Sequence, residues 1–367
     1  MAGLYIHIPF CRGRCPYCDF YSIVADEETM LNYPELISTE AELISIGLRG
    51  KLHIETIYIG GGTPSINQKV LTEIIHNVKC YFDTTEVTEF TIEVNPEDVA
   101  NLEIDALKNT GINRVSLGVQ SLDDKQLKVL GRRTNEETIQ RAYYKLRDSG
   151  VDNVSIDLIY GLTEGGMRVW DETLDKVASM KPDHISIYEL SIREDNPMLR
   201  YKAYDDEVVT MYSHAISKLT SAGYRHYEIS NLALNDRFCL HNLNYWKCVE
   251  YMGLGPSASS FLNGVRYTNY LDLDLYHHAI SRRQLPIEHT EVLNEERRAR
   301  EAMVLALRLV EGVDIEEFKK KYHYDAKILL KDIPAHIKCN LINENYDRIS
   351  LTPMGLTLSD ELFAYLI

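Results

Sequence analysis

Short runs of β-branched and aromatic residues alternate, over the first two thirds of this 367-residue chain, with stretches of helical periodicity. GLYIHIPF (3–10) precedes a helical pattern over 28–47, TIYIGGG (56–62) one over 67–80, and EFTIEVN (89–95) one over 101–109. RVSLGVQS (114–121), NVSIDLIYG (153–161) and HISIYELSI (184–192) lead into helical patterns over 134–149, 168–180 and 206–222. Six strand–helix units in succession predict a parallel sheet wound right-handedly, with helices over its outside.

The period-2 parity within these strands says more. Leu4, Ile6, Ile57, Ile59, Phe90, Ile92, Val94, Val115, Leu117, Val119, Val154, Ile156, Leu158, Ile185 and Ile187 share one face, which is expected to lie under the helices. The other face carries Tyr5, His7, Tyr58, Thr91, Glu93, Asn95, Ser116, Gln120, Ser155, Asp157, Ser186 and Tyr188. A flat parallel sheet covered on both sides is apolar on both sides, so a polar second face predicts a curved sheet around a ligand-filled lumen. The expected fold class is α/β: a partial six-stranded (β/α)6 barrel.

Residues 1–225 hold this barrel core. Residues 226–290 are rich in Tyr, Asn, His and Gly with weak periodicity, and are read as an extension covering the barrel's open end. Residues 291–367 are read as a mostly helical, winged-helix-like domain. It has a helix over 292–310 capped by Asn294, a second over 313–322, a β-wing at RISLTPMG and a closing helix over 358–366.

With 55 acidic against 39 basic residues, the net charge of -16 repels phosphate backbones and anionic headgroups. That argues against nucleic acid as a partner, and the closing LTPMGLTLSDELFAYLI has no basic stripe. The apolar runs are strand-length, so no transmembrane segment is expected, and no export signal is visible. Seven cysteines, three of them within eight residues, suit a reducing compartment and a metal site better than a disulfide framework; the cytoplasm is the expected location.

The three clustered thiols form Cys11-Arg-Gly-Arg-Cys15-Pro-Tyr17-Cys18, directly after the first strand, where a barrel places its active-site loops. Three thiolates on one loop can hold three irons of a cubane and leave the fourth open to a chelating molecule such as S-adenosylmethionine (SAM). A zinc site is the alternative, but zinc knuckles need a second C-x2-C pair, and none lies nearby. Gly60-Gly61-Gly62-Thr63-Pro64 follows the second strand; successive glycines let the backbone approach a ligand and offer N–H groups to an anion, although such a run alone is more often a turn. Parity points Glu93, Gln120 and Asp157 into the lumen, where they need a ligand or each other.

C-x3-C-x2-C with an aromatic residue before its last cysteine, here Tyr17, is the signature of the radical SAM superfamily, and the chain is identified as a member on that motif. The longer string YIHIPFCRGRCPYCDF resembles the HemN/HemW branch, which holds the oxygen-independent coproporphyrinogen oxidases and their heme-chaperone relatives. The resemblance implies a [4Fe-4S] cluster on Cys11, Cys15 and Cys18. It implies SAM contacts from Tyr5, Gly61, Gly62, Thr63, Glu93, Gln120, Arg132 and Asp157, with Arg133 adjacent to Arg132 and also able to reach inward. Oxidases of the branch carry a further cysteine two residues after the triad; here that position is Phe20, which sets oxidase activity in doubt.

His241-Asn-Leu-Asn-Tyr245-Trp246 is the second discriminator. Imidazole is a good axial ligand for heme iron, and Tyr and Trp can flank a porphyrin, although such residues more often merely stabilise a loop. The string resembles the HNxxYW motif of the HemW side of the branch, which implies heme binding with His241 as axial ligand; His226, His277 and His278 are lesser candidates. The implied role is delivery of heme to hemoproteins of the respiratory chain. Peripheral membrane association and a homodimer are both compatible with the sequence.

Overall fold

The computed structural model describes residues 2–367. Each predicted strand and the helix after it form. They are β1 (Ala2–Ile8) and α1 (Glu27–Gly47), then β2 (Ile54–Gly61) and α2 (Gln68–Tyr81). β3 (Glu89–Val94) leads into two short helices, α3 (Pro96–Val99) and α4 (Ile104–Asn109), where a single helix over 101–109 was expected. Pro96 starts the first of these turns from the N-terminal position it favours. β4 (Arg114–Gln120) is followed by an unforeseen α5 (Asp124–Val129), whose N-cap Asp123 accepts from the backbone of Lys125 and Gln126, and then by α6 (Glu136–Asp148). β5 (Val154–Tyr160), α7 (Gly166–Met180), β6 (His184–Glu189) and α8 (Asp205–Ser221) complete the series.

β1 to β6 are neighbours in sequence order and all parallel. Their apolar face is buried against the helices in one continuous core, and all fifteen parity-selected side chains are in it. The fold class is thus the α/β arrangement read from the strands.

The next segment does more than cover one end. β8 (Asn231–Ala233) adds antiparallel to β6 and β7 (Arg225–Glu228) antiparallel to β8, α9 (Leu240–Trp246) crosses below β2, and β9 (Tyr251–Leu254) pairs parallel with β1. β10 (Ser259–Leu262), β11 (Val265–Asn269), α10 (Leu273–Ser281) and β12 (Ile287–Val292) follow, so the sheet has twelve strands and both edges of the barrel wall are continued. This graft is pinned by Glu40 of α1, fully buried, which accepts from Tyr276 Oη (2.5 Å), Asn269 Nδ2 (2.5 Å) and Gly255 N (2.8 Å).

The C-terminal unit is helical with a small sheet. α11 (Glu295–Leu307) starts at Asn294, which accepts from Arg297 N at 2.9 Å; β13 (Val313–Asp314) and α12 (Ile315–Tyr322) follow. α13 (Ala326–Leu329), α14 (Ala335–Leu341), β14 (Ile342–Glu344) and β15 (Arg348–Leu351) build the wing, in strand order β13-β15-β14. The closing helix is two short ones, α15 (Pro353–Thr357) and α16 (Ser359–Phe363), because the chain leaves helical geometry at Leu358 (φ -107°, ψ 30°). Among the described residues no helix is long and apolar enough to cross a membrane.

Candidate functional site: mouth and floor of the barrel

The cysteine loop leaves the end of β1 and is closed at its base. Phe10 bridges Ile23, with Cys11 N on Ile23 O at 2.9 Å and Ile23 N on Pro9 O at 2.7 Å. Its flank is tethered by an ion pair from Arg12 to the buried Asp98, which also accepts from Ser65 Oγ at 2.7 Å, and by Asn196 Nδ2 on Pro16 O at 2.8 Å. Cys11, Cys15 and Cys18 are free, partly exposed thiols on this loop, and Cys11 Sγ lies 3.4 Å from Thr63 Oγ1. Burial raises the Cys18 thiol. The donor set, three thiols on one constrained loop with no fourth cysteine, fits a cubane with one open iron.

Beside the loop is a cavity of about 390 Å³ at the carboxyl ends of the strands. Tyr17, Cys18, Gly61, Gly62, Thr63, Glu93, Gln120 and Asp157 all line it, as do Phe20, Asn95 and Tyr188. The glycines are required there. A Cβ on Gly60 would stand 2.9 Å from the Glu93 carboxylate, and one on Gly62 would stand 2.7 Å from Phe10 O. Gly61 has φ +113°. Glu93 accepts from Tyr58 Oη (2.8 Å) and Gly61 N (3.1 Å), and burial pushes its carboxyl up to about 7. Asp157 accepts from Ser116 Oγ at 2.8 Å, and burial raises it too. Gln120 reaches the cavity through a bulge that sets its φ at +68°.

Arg132 is the arginine that turns inward: it donates to Asn95 Oδ1 (2.6 Å) and Gly118 O (2.8 Å), and its buried Nε has no partner. Arg133 instead lies over the cysteine loop, its guanidinium 2.5 Å from where a Cβ of Gly13 would be. Tyr5 departs from expectation. It does not line the cavity but sits deeper, donor or acceptor to His7 Nδ1 at 3.0 Å and stacked 6.2 Å from Tyr58.

His241 is further away still, at the opposite end of the lumen. It is 1% exposed, on the first turn of α9 beside the amino ends of β1 and β2. Nδ1 is 2.9 Å from Thr56 Oγ1 and Nε2 is 2.9 Å from Tyr245 Oη, so both ring nitrogens are occupied. Burial lowers its pKa to about 3. An imidazole has one bonding position per nitrogen, so ligation of iron by His241 requires Thr56 or Tyr245 to release one. His226, His277 and His278 are not near it; His226 bonds Ile229 O at 3.4 Å, and the other two are on exposed turns of α10.

Sequence reasoning missed the floor's support. Glu89 Oε2 accepts from Leu240 N and Oε1 from His241 N, each at 2.9 Å, so a buried carboxylate from β3 holds the start of α9. Arg114, His184 and Tyr227 fill the space beside it, His184 Nε2 lying 2.8 Å from Tyr227 Oη. Glu89, Thr91 and Glu93 share one strand face, so parity places Glu89 in the lumen; the capping partners, 151 and 152 residues away, leave no local signal.

The radical SAM superfamily model matches residues 5–177, and the HemN C-terminal domain model matches residues 293–358. The heme chaperone HemW of Lactococcus lactis is 32% identical, over 98% of this chain and 95% of its own length. That of Bacillus subtilis is 30% identical, over 99% of this chain and 98% of its own. The chain belongs to the HemW family. Among solved structures, coproporphyrinogen III oxidase HemN of Escherichia coli, a radical SAM enzyme, superposes with a TM-score of 0.86. That match covers 100% of this chain and 89% of HemN at 22% identity, which makes it a likeness of fold. HemW membership implies a [4Fe-4S] cluster and SAM as cofactors, and the mouth cavity is the part of the barrel whose residues suit them.

Proposed function

We propose that this chain is a heme chaperone of the HemW type: it carries a [4Fe-4S] cluster on Cys11, Cys15 and Cys18, binds SAM in the mouth cavity, and takes up heme for delivery to hemoproteins such as respiratory enzymes. The observation that carries the reading is the convergence at one cavity of the free thiol loop, the glycine cradle and the lumen carboxylates. SAM would find close backbone approach along Gly61 and Gly62, the Glu93 carboxyl for its amino group, and Asp157 and Gln120 deeper along the wall. When bound, the cluster supplies one-electron chemistry at the sulfonium. Arg132 and Asn95 fix the wall between loop and cavity. A reducing compartment, the cytoplasm, suits the free thiols.

Heme enters the reading through the His241–Trp246 motif and the family. Here His241 holds that motif in place, bound to Thr56 and Tyr245. Coproporphyrinogen oxidase activity is disfavoured by Phe20, which stands where the oxidases of the branch have a further cysteine. The deciding experiment is anaerobic reconstitution with iron and sulfide, then hemin titration and transfer to an apo-hemoprotein. Saturable heme uptake followed by transfer is expected. Conversion of coproporphyrinogen III without heme transfer would replace this reading with the oxidase.

A further inference from the structure

An open groove of about 560 Å³ runs beside the cysteine loop, between α5, the loop after β5 and the turn Pro197–Tyr201. Pro16 of the cysteine loop is exposed and forms one of its walls. Two neighbours hold that wall in place. Asn196 Nδ2 donates to Pro16 O at 2.8 Å, and Gly131 packs so closely that a Cβ on it would stand 2.7 Å from Pro16 Cδ. Beneath the groove lies a separate small core of Leu130, Ile159, Leu162, Leu190 and Met198, against which Tyr17 of the loop and Val129 of α5 pack. The groove and the thiol loop are therefore one packed unit, in which Pro16 is bonded directly to Cys15.

The charge of this groove runs against that of the whole molecule. The chain has 39 basic residues to 55 acidic, whereas the groove is lined by Lys125, Lys128 and Arg200, all exposed, with Glu164 as its acidic member. Arg14 and Arg133 extend the positive surface over the loop itself. Both are exposed, Arg14 Nη2 donating to Cys18 O at 3.3 Å and Arg133 standing over Gly13. Among the described residues none of these five cations is in an ion pair; the pairs nearby take up Arg12 with Asp98, Arg193 with Asp195 and Lys202 with Glu189. The carboxylates of Asp123 and Asp124 are turned to the backbone, accepting from the N–H groups of Lys125, Gln126 and Glu136 at 2.9 to 3.0 Å. Val129, Pro197 and Tyr201 supply apolar surface between the cations. Free cations around an apolar floor are complementary to an acidic partner with an apolar centre.

We infer that this groove docks a small acidic protein that carries one electron, and that Pro16 and Cys15 are the route by which the electron reaches the cluster. The carrier is oxidised by one electron and the cluster reduced by one, and no bond is made or broken. An extended polyanion would meet the same cations, but beyond the groove it would also meet the field of a chain of net charge -16, whereas a small acidic protein meets this face alone. The groove and the mouth cavity share no lining residue, the first bordered by Pro16 and the second by Tyr17, Cys18 and the residues after them. A docked carrier therefore leaves the mouth free. This inference rests on the cluster reading above and adds to it the surface through which the cluster is reduced.

The test uses the full chain with its cluster reconstituted anaerobically and a photoreduced acidic plant-type ferredoxin as the probe, cluster reduction being followed by rapid-freeze EPR. In wild type the second-order rate is expected to fall about tenfold as salt rises from about 20 to about 200 mM. Lys125→Glu/Lys128→Glu is expected to lose about tenfold at the lower salt. Lys319→Glu/Lys320→Glu, an equal change of net charge on the exposed side of α12, should stay within about twofold of wild type. Reduction by the methyl viologen radical cation, which needs no cationic dock, should be as fast in the groove variant as in wild type. Equal slowing by the two double variants, or a rate indifferent to salt, would overturn the docking surface and leave the cluster reading standing; absence of an iron–sulfur chromophore after reconstitution removes both. Calorimetry gives a readout without electron transfer: oxidised ferredoxin should bind the oxidised wild-type protein about tenfold more tightly than it binds the groove variant. Tighter binding of a single-stranded RNA of about 20 nucleotides than of ferredoxin would assign the cations to nucleic acid and also overturn the inference.

Discussion

The mouth and the floor of the barrel both set polar side chains into the lumen, yet they differ in the bonding capacity those side chains have left. At the mouth Glu93 accepts two hydrogen bonds, which leaves further lone pairs on each carboxylate oxygen, and it borders a cavity of about 390 Å³. At the floor His241 also makes two hydrogen bonds, and for an imidazole that is all of them. Both are polar side chains of the lumen, Glu93 half-buried and His241 buried. What separates chemistry from scaffolding is unspent bonding capacity next to empty space.

The largest effect belongs to the mouth. Replacing Cys11, Cys15 or Cys18 by Ala is expected to abolish the iron–sulfur chromophore after anaerobic reconstitution while leaving the thermal unfolding of the unreconstituted chain near wild type, because none of the three thiols is in the core. Retention of full iron and sulfide by any of the single variants would show that the loop is not the cluster site.

The floor should respond the other way round, in stability rather than cofactor content. Glu89→Ala removes the carboxylate that caps Leu240 N and His241 N, leaving two buried donors unpaired. A loss of about 3 kcal/mol is expected in denaturant unfolding. The cluster content of the folded fraction should not change. A loss below about 0.5 kcal/mol would mean that α9 finds other partners and that the floor is not rigid.

This contrast also explains what the sequence made legible. Strand parity located the lumen because side-chain direction alternates strictly, and Glu93 and Asp157 therefore follow from position alone. Gln120 comes out on the right side for a less direct reason: the bulge at Gly118 shifts the register, and a positive φ turns the side chain back into the cavity. The three thiols were visible because their spacing is local. His241 was visible as part of a local string, but whether its nitrogens are free depends on Thr56, 185 residues away. Tyr5 likewise has the right parity but the wrong depth, since parity fixes the face of a strand and says nothing of height along the barrel axis. Arg132 and Arg133 could be told apart only by which neighbour, Asn95 or Gly13, each one meets.

A smaller effect sharpens the mouth's half of the comparison. Burial holds the Glu93 carboxyl up to about 7, with Tyr58 Oη and Gly61 N donating to it and with Asp157 and Arg114 as the charged groups that face it. Below pH 7 the group is neutral and a poorer partner for an amino group; above it the carboxylate forms. SAM affinity, measured by calorimetry on the reconstituted protein, is expected to fall as the pH drops from 8 to 6, by up to about tenfold per unit. Glu93→Gln should bind more weakly at pH 8 and lose part of that slope. An unchanged slope in Glu93→Gln would assign the titration to another group.

The smallest effect tests where the mouth ends. Phe20 borders the cavity yet is 67% exposed, so little of its apolar surface is buried in the chain. Phe20→Ala is expected to change stability by less than about 0.5 kcal/mol, and SAM affinity by less than about threefold. Phe20→Cys should leave the iron content of the reconstituted protein unchanged, because a cubane with SAM on its open iron has no position for a fourth thiolate from an exposed rim. A marked rise in iron in Phe20→Cys, or a large loss of SAM affinity in Phe20→Ala, would move the boundary of the site outward to include this side chain. In that case the open capacity that sets the mouth apart from the floor extends to its surface.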